Sequence, residues 1–95
     1  MAGYRLVIRS QPAEAIRHLP PQIKLGVRSA LRMLRANPAI GEPLQGELEG
    51  LRKYRVHRFR LVYRLDRGRR TVDLLAVGQR RTIYEEVAEL LRAPK

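Results

Sequence analysis

The sequence predicts an α+β fold, with two N-terminal helices packed on a mainly antiparallel four-stranded sheet (β-α-α-β-β-β) and a short C-terminal helix. Three observations predict it. Apolar residues between 23 and 34 recur at helical spacing. Between 52 and 77 three short runs alternate apolar with charged residues and are separated by turn residues. Residues 83–92 return to helical spacing behind two glutamates.

Each element has its own signal. Tyr4 to Arg9 is short and rich in β-formers, and reads as the first strand. Ser10 or Gln11 is placed to cap a first helix with Pro12 near its start, and Pro20-Pro21 stops that helix by about Leu19. A second helix starts at Pro20 or Pro21 and runs to Ala36. Ile23, Val27, Ala30, Leu31 and Leu34 form its apolar face, with Lys24, Arg28, Arg32 and Arg35 on a second stripe that reads as solvated surface. Asn37-Pro38 ends it. Residues 38–50 are a loop anchored by Ile40 and Leu44. Strands over Arg52 to His57, Arg58 to Leu65 and Thr71 to Val77 make two hairpins, with Gly68 as the turn glycine. Ile83, Val87, Leu90 and Leu91 lie on one face of the last helix, and Glu85 and Glu86 in its first turn suit the helix dipole.

The 95 residues suffice for one domain spanning 1–95, able to bury roughly 60–65% of its unfolded surface. With no cysteine, disulfides and thiolate ligands are excluded, and two histidines, His18 and His57, argue against a transition-metal site. No metal or cofactor is expected. There is neither an apolar run that would span a membrane nor a secretory leader, so a soluble cytoplasmic protein is expected.

The net charge is +11, and it is unevenly placed. Residues 1–50 carry seven basic and four acidic side chains, residues 51–81 carry eleven and two, and residues 82–95 carry two and three. A third of the chain therefore holds most of the excess, which favours a polyanionic partner over a surface kept for solubility. Arginine dominates, and its planar guanidinium grips phosphate bidentately. Alternation puts Tyr54 and Val56 on one face of their strand with Arg55 and His57 on the other. In the next strand it puts Phe59, Leu61 and Tyr63 opposite Arg58, Arg60 and Arg64. An apolar side thus covers the helices while Arg and His project together.

Binding alone requires only cations. Cleaving RNA further requires a base for the 2′-hydroxyl, stabilisation of the pentacoordinate phosphate and a proton for the leaving oxygen. Arginine serves the phosphate, and histidine or tyrosine moves protons. His57 fits that role or a turn-capping one. Tyr84, opening the last helix, fits the reaction or simple packing, and Arg60 fits phosphate contact or an exposed strand position. Arg80 and Arg81 lie in a loop, where binding residues concentrate. Tyr54, Phe59 and Tyr63 read as packing residues, and His18 as structural.

The chain resembles the RelE/ParE superfamily of type II toxins. The likeness rests on Leu51-Arg52-Lys53-Tyr54-Arg55-Val56, on Phe59-Arg60-Leu61-Val62-Tyr63, on Val77-Gly78-Gln79-Arg80-Arg81-Thr82-Ile83-Tyr84, and on Asn37-Pro38 followed by Leu44 and Gly46. The resemblance implies a cognate antitoxin that wraps the toxin and masks its site. For the RelE branch it implies ribosome-dependent, metal-independent cleavage of mRNA by 2′-hydroxyl attack. It implies Arg55, His57, Arg60, Arg80 and Tyr84 as catalytic residues; Arg52, Lys53, Arg58, Arg64 and Arg81 of the basic 51–81 segment are expected to grip RNA phosphates. His57 stands where the best-known RelE proteins carry lysine, and the loop from Gly78 to Tyr84 is shorter than theirs. The ParE branch implies instead an inhibitor of DNA gyrase without nuclease chemistry.

Overall fold

The computed structural model describes residues 3–92. The chain runs β1 (Arg5–Ile8), α1 (Ser10–Arg17), α2 (Pro21–Ala36), β2 (Glu42–Pro43), β3 (Leu51–Val56), β4 (Phe59–Asp66), β5 (Thr71–Gln79) and α3 (Ile83–Arg92), with single 3-10 turns at Pro38–Ile40 and Gly46–Leu48. The sheet has five strands in the order β1-β5-β4-β3-β2, with β1 parallel to β5 and every other pair antiparallel. The four expected strands are all present. The fifth, β2, has two residues and cannot show an alternation, so the four-stranded reading becomes a five-stranded mixed sheet.

Helices lie on both faces, not one. Val27, Ala30, Leu31 and Leu34 of α2 pack on Val56, Leu61, Tyr63, Val72, Leu74 and Val77. On the other face Ile83, Val87 and Ala88 of α3 pack with Leu48 on Leu51, Val62 and Ala76. The Arg-bearing side of the sheet is therefore partly roofed, and only the part beyond α3 is open. A register shift lets the two faces be sorted. Val62 pairs with Ala76 but Tyr63 pairs with Leu74, leaving Leu75 as an extra residue on β5. The bulge brings Leu74 and Val77 to the same face although they are three residues apart.

Local details differ from the expected signals. Neither Ser10 nor Gln11 caps α1; Arg9 occupies that position without a side-chain cap. Its guanidinium instead grips the Asp73 carboxylate at 2.8 and 2.6 Å, and this hydrogen bond and charge raise the Arg9 pKa above its ordinary value. The Gln11 amide oxygen accepts from the Val77 N–H at 3.4 Å. In the β4–β5 turn the left-handed residue is Arg70 (φ 55°), not Gly68. Asp66 organises that turn by accepting from the Arg69 N–H at 3.0 Å, and the Arg70 guanidinium lies 4.8 Å over the Tyr4 ring. Leu90 and Leu91 are 52% and 44% exposed and do not join Ile83, Val87 and Ala88 on the buried face of α3.

Two contacts shape the site. The fully buried Tyr63 donates from its hydroxyl to the Pro38 carbonyl at 2.5 Å and accepts from the Gly41 N–H at 3.1 Å. This ties the 38–41 segment down and sets where Ile40 and Glu42 emerge. Gly41 has to be glycine here, since a Cβ would overlap the Tyr63 hydroxyl. At the other side Gly78 lets Ile83 close in; a Cβ there would fall 2.9 Å from Ile83 Cδ1. The absence of that side chain seats the first turn of α3, and with it Tyr84, against β5.

Candidate functional site

A cleft of about 670 Å³ opens beside the first turn of α3. Lys53, Arg55, Arg60 and Arg80 supply its cations, Glu42 its one carboxylate, and Ile40, Tyr54 and Tyr84 its apolar and aromatic surface. Strand register explains the grouping. Arg55 on β3 pairs directly with Arg60 on β4, and Arg60 pairs in turn with Gly78 on β5. Arg80 follows in the turn after β5, and Tyr84 is the second residue of α3.

The electrostatics are unbalanced. Like charges directly opposite on neighbouring strands repel, a cost of several tenths of a kcal/mol. Among the described residues Arg55, Arg60 and Arg80 have no ion pair to offset it. Arg60 donates only to the neighbouring Phe59 carbonyl at 3.2 Å. Such a cluster is relieved by an anion with several oxygens, and a phosphodiester has that geometry. Lys53 differs from the arginines. Its Nζ lies 3.6 Å from Glu42 Oε1 across the β2–β3 pair and 5.9 Å from the centre of the Tyr84 ring.

Of the ten residues singled out from sequence, the fold brings five into this cleft: Lys53, Arg55, Arg60, Arg80 and Tyr84. The other five lie elsewhere. His57 is not on a strand. It is the first residue of the tight β3–β4 turn, at φ 56°, and its imidazole lies over Gly26 of α2 on the far side of the sheet. Strand alternation does not extend through a turn, so the shared face of Arg55 and His57 does not form. Arg58 is the second turn residue and is exposed. Arg52 points to the loop, donating to the carbonyls of Gly41 at 2.7 Å and Ala39 at 3.3 Å. Arg64 is on the face of Arg60 but toward the far end of β4, opposite Leu51 and Asp73. Arg81 is exposed in the turn before α3 and does not line the cleft.

Three lining residues carry no such signal in the sequence. Ile40 and Glu42 come from an irregular loop, where no period assigns a face. Tyr54 packs against the core yet also reaches the cleft, because β2 pairs only with Arg52 and Lys53 and leaves the rest of that β3 edge open. Glutamate before proline in the loop is the one hint of an exposed, extended carboxylate.

The family profile for the ParE toxin of the type II toxin-antitoxin system, parDE, matches residues 3–84. The chain belongs to the RelE/ParE superfamily of type II toxins. It is 31% identical to Toxin RelE of Mycobacterium tuberculosis over 83 residues, which is 85% of this chain and 86% of the relative. A toxin–antitoxin RelBE complex from Mycobacterium tuberculosis superposes with a TM-score of 0.74 at 32% identity, over 82% of this chain and 99% of the other. A double mutant of Escherichia coli toxin RelE in the free state superposes at 0.78 over 99% of this chain and 100% of the other; at 21% identity, it shows the RelE fold alone. In this chain the cleft sits on the open part of the sheet, at the edge of α3.

Proposed function

We propose that this toxin is an endoribonuclease that cleaves mRNA on the ribosome by 2′-hydroxyl attack without a metal ion, and that a cognate antitoxin masks its cleft. The observation that carries the reading is the lining itself: four cations, one carboxylate and two tyrosines in a single cleft. Arg60 and Arg80 hold the scissile phosphate and Arg55 adds to the field that stabilises its pentacoordinate state. With His57 on the far side of the sheet, Glu42 is the lining group suited to accept a proton, since lysine and arginine arrive already protonated. The 2′-oxygen gives its proton to Glu42 and bonds to phosphorus, the bond to the 5′-oxygen breaks, and that oxygen takes a proton from Tyr84 or water. The products are a 2′,3′-cyclic phosphate and a 5′-hydroxyl. Four cations around one carboxylate make a poor divalent-cation site, and the described residues hold no group of three or more acidic, histidine or cysteine side chains placed to hold a metal ion. The antitoxin partner is supported by the RelBE complexes in which related toxins are found.

The ParE profile favours a second reading, in which the same cations dock on DNA gyrase and no bond is broken. One expression experiment separates the two. Primer extension should show new cuts within translated codons, lost in Arg60→Ala with Tyr84→Phe, while plasmid supercoiling stays normal. Intact mRNA with lost supercoiling would establish the gyrase reading instead.

A further inference from the structure

We infer that Lys53 is a positioning residue, which holds the Tyr84 ring and the Glu42 carboxylate in place around the reacting phosphate and does not itself grip RNA. The inference rests on the ribonuclease reading and assigns a new task within the same cleft. Lys53 lies mid-way along β3, directly opposite Glu42 on β2. Its Nζ sits 3.6 Å from the Glu42 carboxylate and 5.9 Å over the Tyr84 ring. Its side chain is 34% exposed against 78% for Glu42, so the lysine is the ordered member of the pair and the glutamate the one that must be held.

Tyr84 needs holding for a separate reason. Among the described residues its hydroxyl makes no hydrogen bond. Its ring is also a partition. One side lines the basic cleft, and the other lines a shallow groove of Glu47, Glu85 and Glu89 beside Leu48. Helix α3 is fixed below by Ile83, and Tyr84 is itself partly buried against the cluster of Leu48, Leu51, Val62 and Ile83, which seats it at the rim of the cleft. An ammonium over the ring face adds a preference for the cleft side to that packing, because it attracts the ring's negative face and lines the cleft but not the acidic groove. The same ammonium draws Glu42 inward from a strand of two residues. A cation already shared between a carboxylate and an aromatic face is poorly available to a phosphate, whereas among the described residues Arg55, Arg60 and Arg80 have no ion pair.

The test uses the full chain in two arms. In the first, the free protein is studied by NMR. Contacts between the Lys53 ε-methylene and the Tyr84 ring protons are expected in the wild type, and Lys53→Met should shift the Tyr84 ring signals while leaving those of buried Tyr63 in place. Absence of the Lys53–Tyr84 contacts overturns the inference, and that wild-type readout requires neither cleavage nor a variant. In the second, mRNA cleavage on programmed ribosomes is measured at saturating and limiting ribosome concentrations, with Arg60→Ala as the reference for a lost phosphate contact. Lys53→Met should lower kcat roughly threefold to tenfold with KM within about twofold, and Lys53→Arg, which can still lie over a ring and pair with a carboxylate, should recover most of the loss. A raised KM with kcat unchanged would make Lys53 a phosphate ligand and overturn the inference. If the wild type cuts no RNA at all, the ribonuclease reading fails, and with it the catalytic purpose; the NMR arm then still decides whether Lys53 orders Tyr84.

Discussion

Replacing Tyr63 with phenylalanine tests how the core of this toxin builds its cleft. The side chain is fully buried, and its hydroxyl satisfies two buried backbone groups, the Pro38 carbonyl and the Gly41 N–H. Phenylalanine keeps the ring and removes both partners. A buried polar group left unpaired costs about 1–3 kcal/mol. Two such groups, in a segment able to relax slightly, give an expected loss of about 3 kcal/mol. For a domain of this size that lowers Tm by roughly 12–24 °C. Urea unfolding followed by circular dichroism measures it, with Tyr54→Phe as the control, since the Tyr54 hydroxyl makes no hydrogen bond among the described residues and its loss should stay within about 0.5 kcal/mol. The pH dependence adds a second check. Burial raises the Tyr63 phenol pKa, only partly countered by the Gly41 N–H and the charge of Arg52. In the unfolded chain a tyrosine ionises near 10. The stability Tyr63 contributes is therefore complete below about pH 10 and is lost as pH rises toward and through its higher native value. The gap between wild type and Tyr63→Phe should shrink above about pH 10. A loss below about 0.5 kcal/mol, or a gap that does not narrow in alkali, refutes the role assigned to this hydroxyl.

Three further outcomes are expected. Arg60→Ala should reduce mRNA cleavage at least about a hundredfold and flatten the salt dependence of RNA binding by roughly 0.7–0.9 in log–log slope; rates and filter-binding titrations read both. Arg9→Ala should cost about 1 kcal/mol in urea unfolding, because it strands the nearly buried Asp73 carboxylate while the guanidinium it removes is more than half exposed and screened by solvent. His57→Gly should leave cleavage within about twofold and stabilise the fold by up to about 1 kcal/mol, since it relieves a left-handed backbone at the first position of a two-residue hairpin turn; a hundredfold loss of cleavage would return His57 to the reaction.

The helices, the hairpins and the concentration of arginine are legible in the sequence. Val27, Ala30, Leu31 and Leu34 are buried as their spacing predicts, and Arg55 and Arg60 fall on the outer side of their strands as alternation predicts. These features are local: a period within one element states which residues share a face. Tertiary structure decided what lies across from that face. It brought Glu42 to Lys53 through a strand of two residues, carried Tyr84 over the sheet on the bare surface of Gly78, and turned His57 away at the hairpin tip. None of these follows from periodicity, because each depends on a contact between segments remote in sequence or on one backbone angle in a turn. The charge pattern was sufficient to point to a polyanion. Which cations meet in one cleft, and which carboxylate lines it with them, depended on the register of β3 with β4 and on the loop held by the Tyr63 hydroxyl.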